Sequence, residues 1–451
     1  MRLVPLGGLA AAVALVAVVP VHDRAGAGDD RATPLVPPRT VRVDVSTRGA
    51  QADGAIRGAT LSGDGRYVAF ASSASTLVPG DENGVSDVFV HDLATSQTLR
   101  VSVSNDGTEG DGASLMPSIS ADGQTVAFPS LATNLVRGDR DGKRDIFVYS
   151  LSTGRTRRVS VGYRGEPNGP SFAAFVSGDA RVVAFSSEAS NLVPGDRNGA
   201  MDVFVAQVGT SRVRRVSLGW GREPAGRSEA SGISGDGSVV AFRSFAANLV
   251  PGDSNNHADV FVRDRLGGVT ERVNVSSTGE QANDVTFRGT LSGDTRFVGF
   301  RSRASNLVPH DTNRALDSFV HDRVTGRTLR VSVATDGGQA APSGFSRHDC
   351  QNLLVSRPFL SADGRYAAFS SRASNLVAGD RNGVSDVFVH DLLTSRTFRV
   401  SLAPDGREAN GASFVSGISA DGKVVAFTSL ATNLVPHDTN GRRDIFVRRV
   451  G

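Results

Sequence analysis

A set of oxygen-bearing residues recurs at fixed spacing along this chain of 451 residues. Asp81-Glu82-Asn83-Gly84-Val85-Ser86-Asp87 places Asp81, Asn83 and Asp87 around a glycine turn, and the pattern returns as Asp139 and Asp145, as Asp196, Asn198 and Asp202, and as Asp438, Asn440 and Asp444. Carboxylates, an amide and a main-chain carbonyl at alternate positions are donors that a calcium ion accepts. A structural calcium in these loops is therefore one expectation. The other is local: Asn-Gly makes a tight turn, and Asp accepts hydrogen bonds from main-chain N–H groups. The distant glutamate of an EF-hand loop has no counterpart.

A second group of residues could bind a ligand. Tyr163 with Arg164, Trp220 with Arg222, and Phe345, Arg347 and His348 inside an insertion at 345–356 all interrupt an otherwise repeated sequence. Aromatic and arginine side chains on a shared face form binding hot spots. Signatures of nucleophilic hydrolases, zinc proteases, phosphate-binding loops and dinucleotide folds are missing from the sequence. Cys350 is the only cysteine, so no intramolecular disulfide forms.

The elements that must hold these residues are repeats. Ser-(Ala/Gly)-Asp, followed by an apolar run ending in Phe, has its aspartate at Asp64, Asp122, Asp179, Asp236, Asp294, Asp363 and Asp421. A third phrase, x-Arg-Val, recurs at Arg42, Arg100, Arg158, Arg215, Arg272, Arg330 and Arg399, and these arginines read as solvated charges on an outer strand. In the first unit, strands are expected at 58–62, 67–71, 87–91 and 98–104. Four short strands per repeat make a propeller blade. Repeats start near 40, 98, 156, 213, 270, 328 and 397. The chain opens on a fourth-type strand at 40–46 and ends on a third-type strand, so the N-terminal strand completes the last blade. The fold expected is all-β: a seven-bladed β-propeller of four-stranded blades.

The unit resembles the WD40-like (PD40) repeats of TolB-type propellers. The matching residues are Ser120-Ala121-Asp122-Gly123-Gln124-Thr125-Val126-Ala127-Phe128, then Asp145-Ile146-Phe147-Val148. The likeness runs from 40 to 451, with Ala or Gly where the family has proline. It implies a propeller outside the cytoplasm.

Composition bounds the remaining choices. Basic and acidic residues number 49 and 46 and are spread evenly, which argues against a nucleic-acid partner. Residues 1–27 read as a signal peptide, with Arg2, an apolar run and Ala25-Gly26-Ala27 as cleavage site; 28–39 is a linker, and no later stretch would span a membrane. The expected protein is a secreted or envelope monomer. Its long loops, 47–57 and 72–86 in the first unit, share one face, and that face is the expected contact for a protein, peptide or glycan. The alternative is a lyase- or hydrolase-type enzyme with a metal in its channel. The inner strands are small and apolar, with Arg57, Glu229 and Arg288 as polar exceptions near the channel mouth.

Overall fold

The computed structural model describes residues 40–220, 223–341 and 356–450. The expected signal peptide and linker lie outside these residues, as do Arg222, Phe345, Arg347 and His348. The described residues form seven four-stranded antiparallel sheets arranged as a β-propeller. Blade 1 consists of Ile56–Leu61, Tyr67–Ser72, Asp87–Asp92 and Gln97–Arg100, from the channel outward.

The two middle strands of each blade are buried on both faces, because each blade packs between two others. Tyr67–Ser72 and Asp87–Asp92 accordingly carry runs of buried Val, Ala and Phe. A phenylalanine from each middle strand meets its partner directly across the ladder: Phe70 and Phe89 stack with ring centres 5.7 Å apart. The same pair recurs in every blade, ending with Phe427 and Phe446 at 5.8 Å. These rings account for most of the largest fully buried side chains, and aromatic burial dominates core energetics.

The Ser-x-Asp motif makes the turn between first and second strands. Ser62 Oγ donates to Asp64 Oδ1 (2.5 Å) and accepts from Tyr67 N (2.9 Å), and Asp64 Oδ1 also accepts from Arg66 N (3.0 Å). Gly65 follows with φ of 71°, a conformation that favours glycine. Each such turn also bonds to the next blade. Asp64 N donates to Ala121 O, Ala121 N to Gly178 O, Asp179 N to Gly235 O, and Gly235 N to Gly293 O. Asp294 N, Ala362 N and Ala420 N continue the series to Ala362 O, Ala420 O and Gly63 O, which closes the circle. In four blades the donor is the residue that replaces the proline of TolB-type repeats. Proline has no N–H to give.

The N-terminal strand Thr40–Arg42 completes the seventh sheet beside Asp444–Arg449, with Thr40 opposite Arg448 and Arg42 opposite Phe446. Val43 N extends the pairing to Ile445 O at 2.8 Å. Arg42 reaches Asp438 at 2.8 Å, so the closure is ionic as well as hydrogen-bonded.

Outer strands are shorter than the sequence suggests. Gln97–Arg100 stops where 98–104 was expected, and Thr40–Arg42 where 40–46 was. Val101 N still donates to Val88 O, but the next residue turns its side chain inward: Ser102 Oγ takes Val88 N at 3.0 Å and ends the ladder.

Ala420→Pro is expected to lower stability by about 1–2 kcal/mol, the worth of one inter-blade hydrogen bond, while Ala420→Gly keeps the N–H and loses less. Denaturant titration of both variants checks this; equal losses would show that the bond contributes nothing.

Candidate functional site

The repeated loop carboxylates converge on arginine. Asp87, fully buried, accepts from Ser102 Oγ (2.5 Å) and Asn83 Nδ2 (2.8 Å), while Arg100 Nη1 lies 3.3 Å from Asp81, 3.6 Å from Asp87 and 2.6 Å from Glu109. Arg158 sits 3.4 Å from Asp139 and 3.0 Å from Asp145, and Arg215 sits 3.2 Å from both Asp196 and Asp202. In the last blade Arg42 serves Asp438 and Asp444. The x-Arg-Val arginines are therefore half-buried clamps and not solvated edge charges. Asn83, Asn198 and Asn440 turn their amide nitrogens toward the carboxylates and use their oxygens on the main-chain N–H two residues on. Groups such as Asp81, Asp87 and Glu109 are close enough to share a cation. The guanidinium is the cation present.

Clamp electrostatics have a sign that can be measured. Burial and the charge of the neighbouring carboxylate push Asp81, Asp139, Asp196 and Asp380 up to about 6, against the pull of their arginines. In the last blade Asp44 occupies the place of Ser102. Burial, then the charge of Asp444, raises the Asp44 carboxyl well above its usual range, while Ile445 N donates to Asp44 Oδ1 at 2.8 Å. Asp92 and Asp322 show the reverse: bidentate bonds from Arg66 and Arg296 hold them well below it.

The aromatic residues singled out by sequence are exposed, Tyr163 at 49% and Trp220 at 70%. They occupy matching places: Tyr163 N donates to Asn191 O and Trp220 N to Asn248 O. Arg164 covers the Tyr163 ring at 5.3 Å. Trp220 lines an outer groove with Arg215, Glu223, Arg263 and Val269. The two aromatics share a register on neighbouring blades, and neither lines the channel.

A different site stands at the channel mouth. A cavity of about 950 Å³ lies among blades 4 to 7, lined where first strands begin, second strands end and third strands are about to begin. All of these points belong to the long-loop face. The charged lining is Arg243, Arg288, Arg301, Arg357, Arg372 and Arg443 against one carboxylate, Glu229. Arg357 and Phe359 also line the narrow channel, about 250 Å³, whose other walls are inner-strand residues such as Ala59, Ile119, Gly232 and Leu291.

Glu229 is already engaged by Arg288 Nε at 2.9 Å and Arg227 Nη2 at 2.8 Å, and these bonds hold it below its usual range against the effect of its burial. Arg243 donates from Nε to Thr286 O (3.0 Å), and its guanidinium lies 4.6 Å from the Phe245 ring centre. Arg301 lies 4.6 Å from the Phe287 ring, Arg357 5.2 Å from Phe359 and Arg443 5.2 Å from Phe414. Burial lowers Arg301 and Arg357 to about 10, with Arg243 adding to the first shift and Arg288 and Arg301 to the second. Both remain cations at neutral pH. Guanidinium groups on aromatic shelves recognise carboxylate or phosphate bidentately. Of these residues, sequence reasoning had marked Glu229 and Arg288 only. The usable signal was a break in the repeat inside strands: Arg243 and Arg301 stand where the other blades have Ala71, Pro129, Ser186, Ser370 and Thr428.

Lowering the pH from about 7.5 to about 5.5 is expected to stabilise the fold through the raised aspartates, which bind protons more tightly in the fold than in the unfolded chain, while His91, His321 and His390, which burial keeps neutral, oppose the gain. Below about pH 4 the melting temperature should fall, as Asp92, Asp322 and their equivalents lose the arginine bonds that favour the charged form. Calorimetry of the wild type and of Asp139→Asn across this range isolates the aspartate contribution: the wild type should gain on the variant as the pH falls from about 7.5 to about 5.5, and an unchanging difference would show that the clamp aspartate keeps an ordinary affinity.

No family model matches the chain, and no curated protein matches it. Among solved structures it is similar to TolB from Acinetobacter baumannii, at 18% identity and a TM-score of 0.39, over 70% of this chain and 59% of that one. It is similar to oligogalacturonate lyase from Vibrio parahaemolyticus at 11% identity and a TM-score of 0.53, over 92% and 98% of the two chains. A manganese complex of oligogalacturonate lyase matches at 13% identity and a TM-score of 0.51, over 92% and 97%. The chain is thus a seven-bladed β-propeller whose structural neighbours include both TolB proteins and lyases.

Proposed function

We propose that this chain is an exported, non-catalytic binding propeller that takes a protein, peptide or glycan through its long-loop face, with the cavity among blades 4 to 7 as the ligand's seat. One observation carries the reading. The cavity breaks the sevenfold symmetry on the face where long loops gather, and its size lies within the range of ligand pockets, about 300–1,000 Å³. Its polar groups suit binding better than catalysis. General acid–base chemistry needs a titratable group poised near the working pH; among the described lining residues the one carboxylate, Glu229, is held as an anion between two arginines. The acidic clamps nearer the rim are in sevenfold register and serve the loops. Structural calcium at the clamps is a subsidiary proposal, in which the ion would displace guanidinium from sites such as Asp81, Asp87 and Glu109.

Peptide and glycan arrays probed with the mature protein test the seat. Ala412 lines the cavity, and Ala412→Trp fills part of it. Binding at least tenfold weaker in Ala412→Trp, with an unchanged melting temperature and normal binding by Trp220→Ala, is the expected result. Loss in Trp220→Ala with retention in Ala412→Trp would move the site to the outer groove and overturn the assignment.

A further inference from the structure

We propose that the loop clamp of blade 2 is a calcium site, with Asp139, Asp141 and Asp145 as its carboxylate ligands. This narrows the calcium reading of the repeated loops to one blade, and it is independent of the seat at the channel mouth.

The first argument is what blade 2 lacks. In the other six blades an asparagine amide nitrogen donates to the aspartate that opens the third strand: Asn83 to Asp87, Asn198 to Asp202, Asn255 to Asp259, Asn313 to Asp317, Asn382 to Asp386 and Asn440 to Asp444. The same nitrogen reaches a main-chain carbonyl of the neighbouring loop, as Asn198 reaches Pro224 O at 3.3 Å in blade 3. Asp141 holds the asparagine's place in blade 2. A carboxylate has no N–H to give. Asp145 therefore lacks the amide bond that its six counterparts receive, and Pro167, at the place of Pro224, offers its carbonyl in the same register.

The second argument is a buried carboxylate without hydrogen bonds. The Asp139 side chain is 1% exposed, and neither of its oxygens receives a hydrogen bond. Arg158 Nη1 stands 3.4 Å from Asp139 Oδ1, close enough for ionic attraction but outside hydrogen-bond geometry. Buried polar groups ordinarily have partners, and one that lacks them calls for an ion or another occupant. One oxygen from each of Asp139, Asp141 and Asp145 lies within 4.8 Å of the other two. Calcium takes oxygen ligands at about 2.4 Å, so oxygens spaced in this way can meet on a single ion.

The third argument is the contrast with the other acidic clamps. Blades 1 and 6 also gather three carboxylates, yet there the arginine bonds the glutamate directly, Arg100 to Glu109 at 2.6 Å and Arg399 to Glu408 at 2.7 Å, and the asparagine bonds the aspartate. In blade 2 Arg158 stays 3.9 Å from Glu166, whose Oε1 accepts from Arg140 N at 3.1 Å. Blade 7 leaves Asp438 without hydrogen bonds too, but Arg42 comes within 2.8 Å of it and Asn440 serves Asp444. Lys143 Nζ lies 2.9 Å from Asp141 Oδ2 in blade 2, with the lysine side chain 37% exposed. A partly exposed ion pair of this kind contributes little, so the lysine can swing aside for an ion of higher charge.

Calorimetric titration of calcium into the chelator-treated mature protein tests the assignment. One ion per chain is expected, with a raised melting temperature on binding. Asp141→Asn gives blade 2 the residue of the other six; it should fold normally and bind calcium about tenfold more weakly or less, since one ligand charge is gone. Lys143→Ala should tighten binding by removing a competing cation. If Lys143 is only the structural counter-ion of Asp141, that variant melts lower and takes up no calcium, which overturns the proposal. Several ions per chain, or one that survives Asp141→Asn unweakened, would keep calcium in the loops and overturn its assignment to blade 2. No binding by the wild type overturns both and leaves the seat untouched, because Ala412→Trp reports on the seat separately.

Discussion

Each blade depends on one carboxylate that water does not reach. Asp87 and its counterparts open the third strand, and Asp87 is fixed from three directions: by Ser102, which follows x-Arg-Val in the outer strand, by Asn83 of the loop before it, and by Arg100 of the outer strand; in blade 2 the asparagine's place is taken by Asp141. A buried charge is tolerated only when it is paired and hydrogen-bonded. The requirement therefore runs outward from the carboxylate. It dictates the Asn-Gly turn, the arginine two residues before the serine, and the point at which the outer strand must stop. What reads as four sequence motifs is one network repeated around the ring.

That network sets the electrostatic background against which the channel mouth stands out. Rim charges are neutralised within each blade, so an arginine there answers to its own loop. The mouth is lined by arginines that come from four blades and share no clamp. A propeller can vary its mouth because its stability comes from the stacked phenylalanines and the blade-to-blade bonds. The face opposite the long loops is tied by backbone hydrogen bonds at every turn, which leaves the mouth free to vary without loosening the ring.

Legibility in the sequence follows the same division. The fold could be read because every determinant occurs seven times: the turn serine, the paired phenylalanines, the opening aspartate. Closure could be read because the chain begins and ends on complementary strands. The clamp was half legible. Asp81, Asn83 and Asp87 were recognisable as one cluster, but the cation that joins them, Arg100, lies on a different strand, and linear spacing does not reveal that the guanidinium reaches inward. The mouth was the least legible part. Arg243 and Arg301 sit inside strands with ordinary patterning, and only alignment of the seven copies shows that small residues are usual there. The exposed Tyr163 and Trp220 drew notice because aromatic residues are rare in this chain, whereas arginines are everywhere in it.

How the inner strands place Arg288 and Arg357 follows from the backbone. In blades 1, 3, 4 and 7 the inner strand runs six residues, as in Ser228–Ile233, whereas in blades 5 and 6 it shrinks to Thr290–Leu291 and Phe359–Leu360. Pro358 has no N–H for the ladder, and Gly289 is held close against the next strand: a Cβ there would lie 3.0 Å from Gly299 O. Both interruptions fall directly after an arginine, so Arg288 and Arg357 leave the sheet where the channel widens. Thr290 Oγ1 donates to Pro358 O at 2.5 Å and ties the two shortened strands together. Blade 2 has the same interruption, with Pro117 before Ser118–Ile119, yet it presents Met116. The shortened strand is therefore a feature that the fold tolerates in more than one blade, and the arginine is what distinguishes the two blades at the cavity.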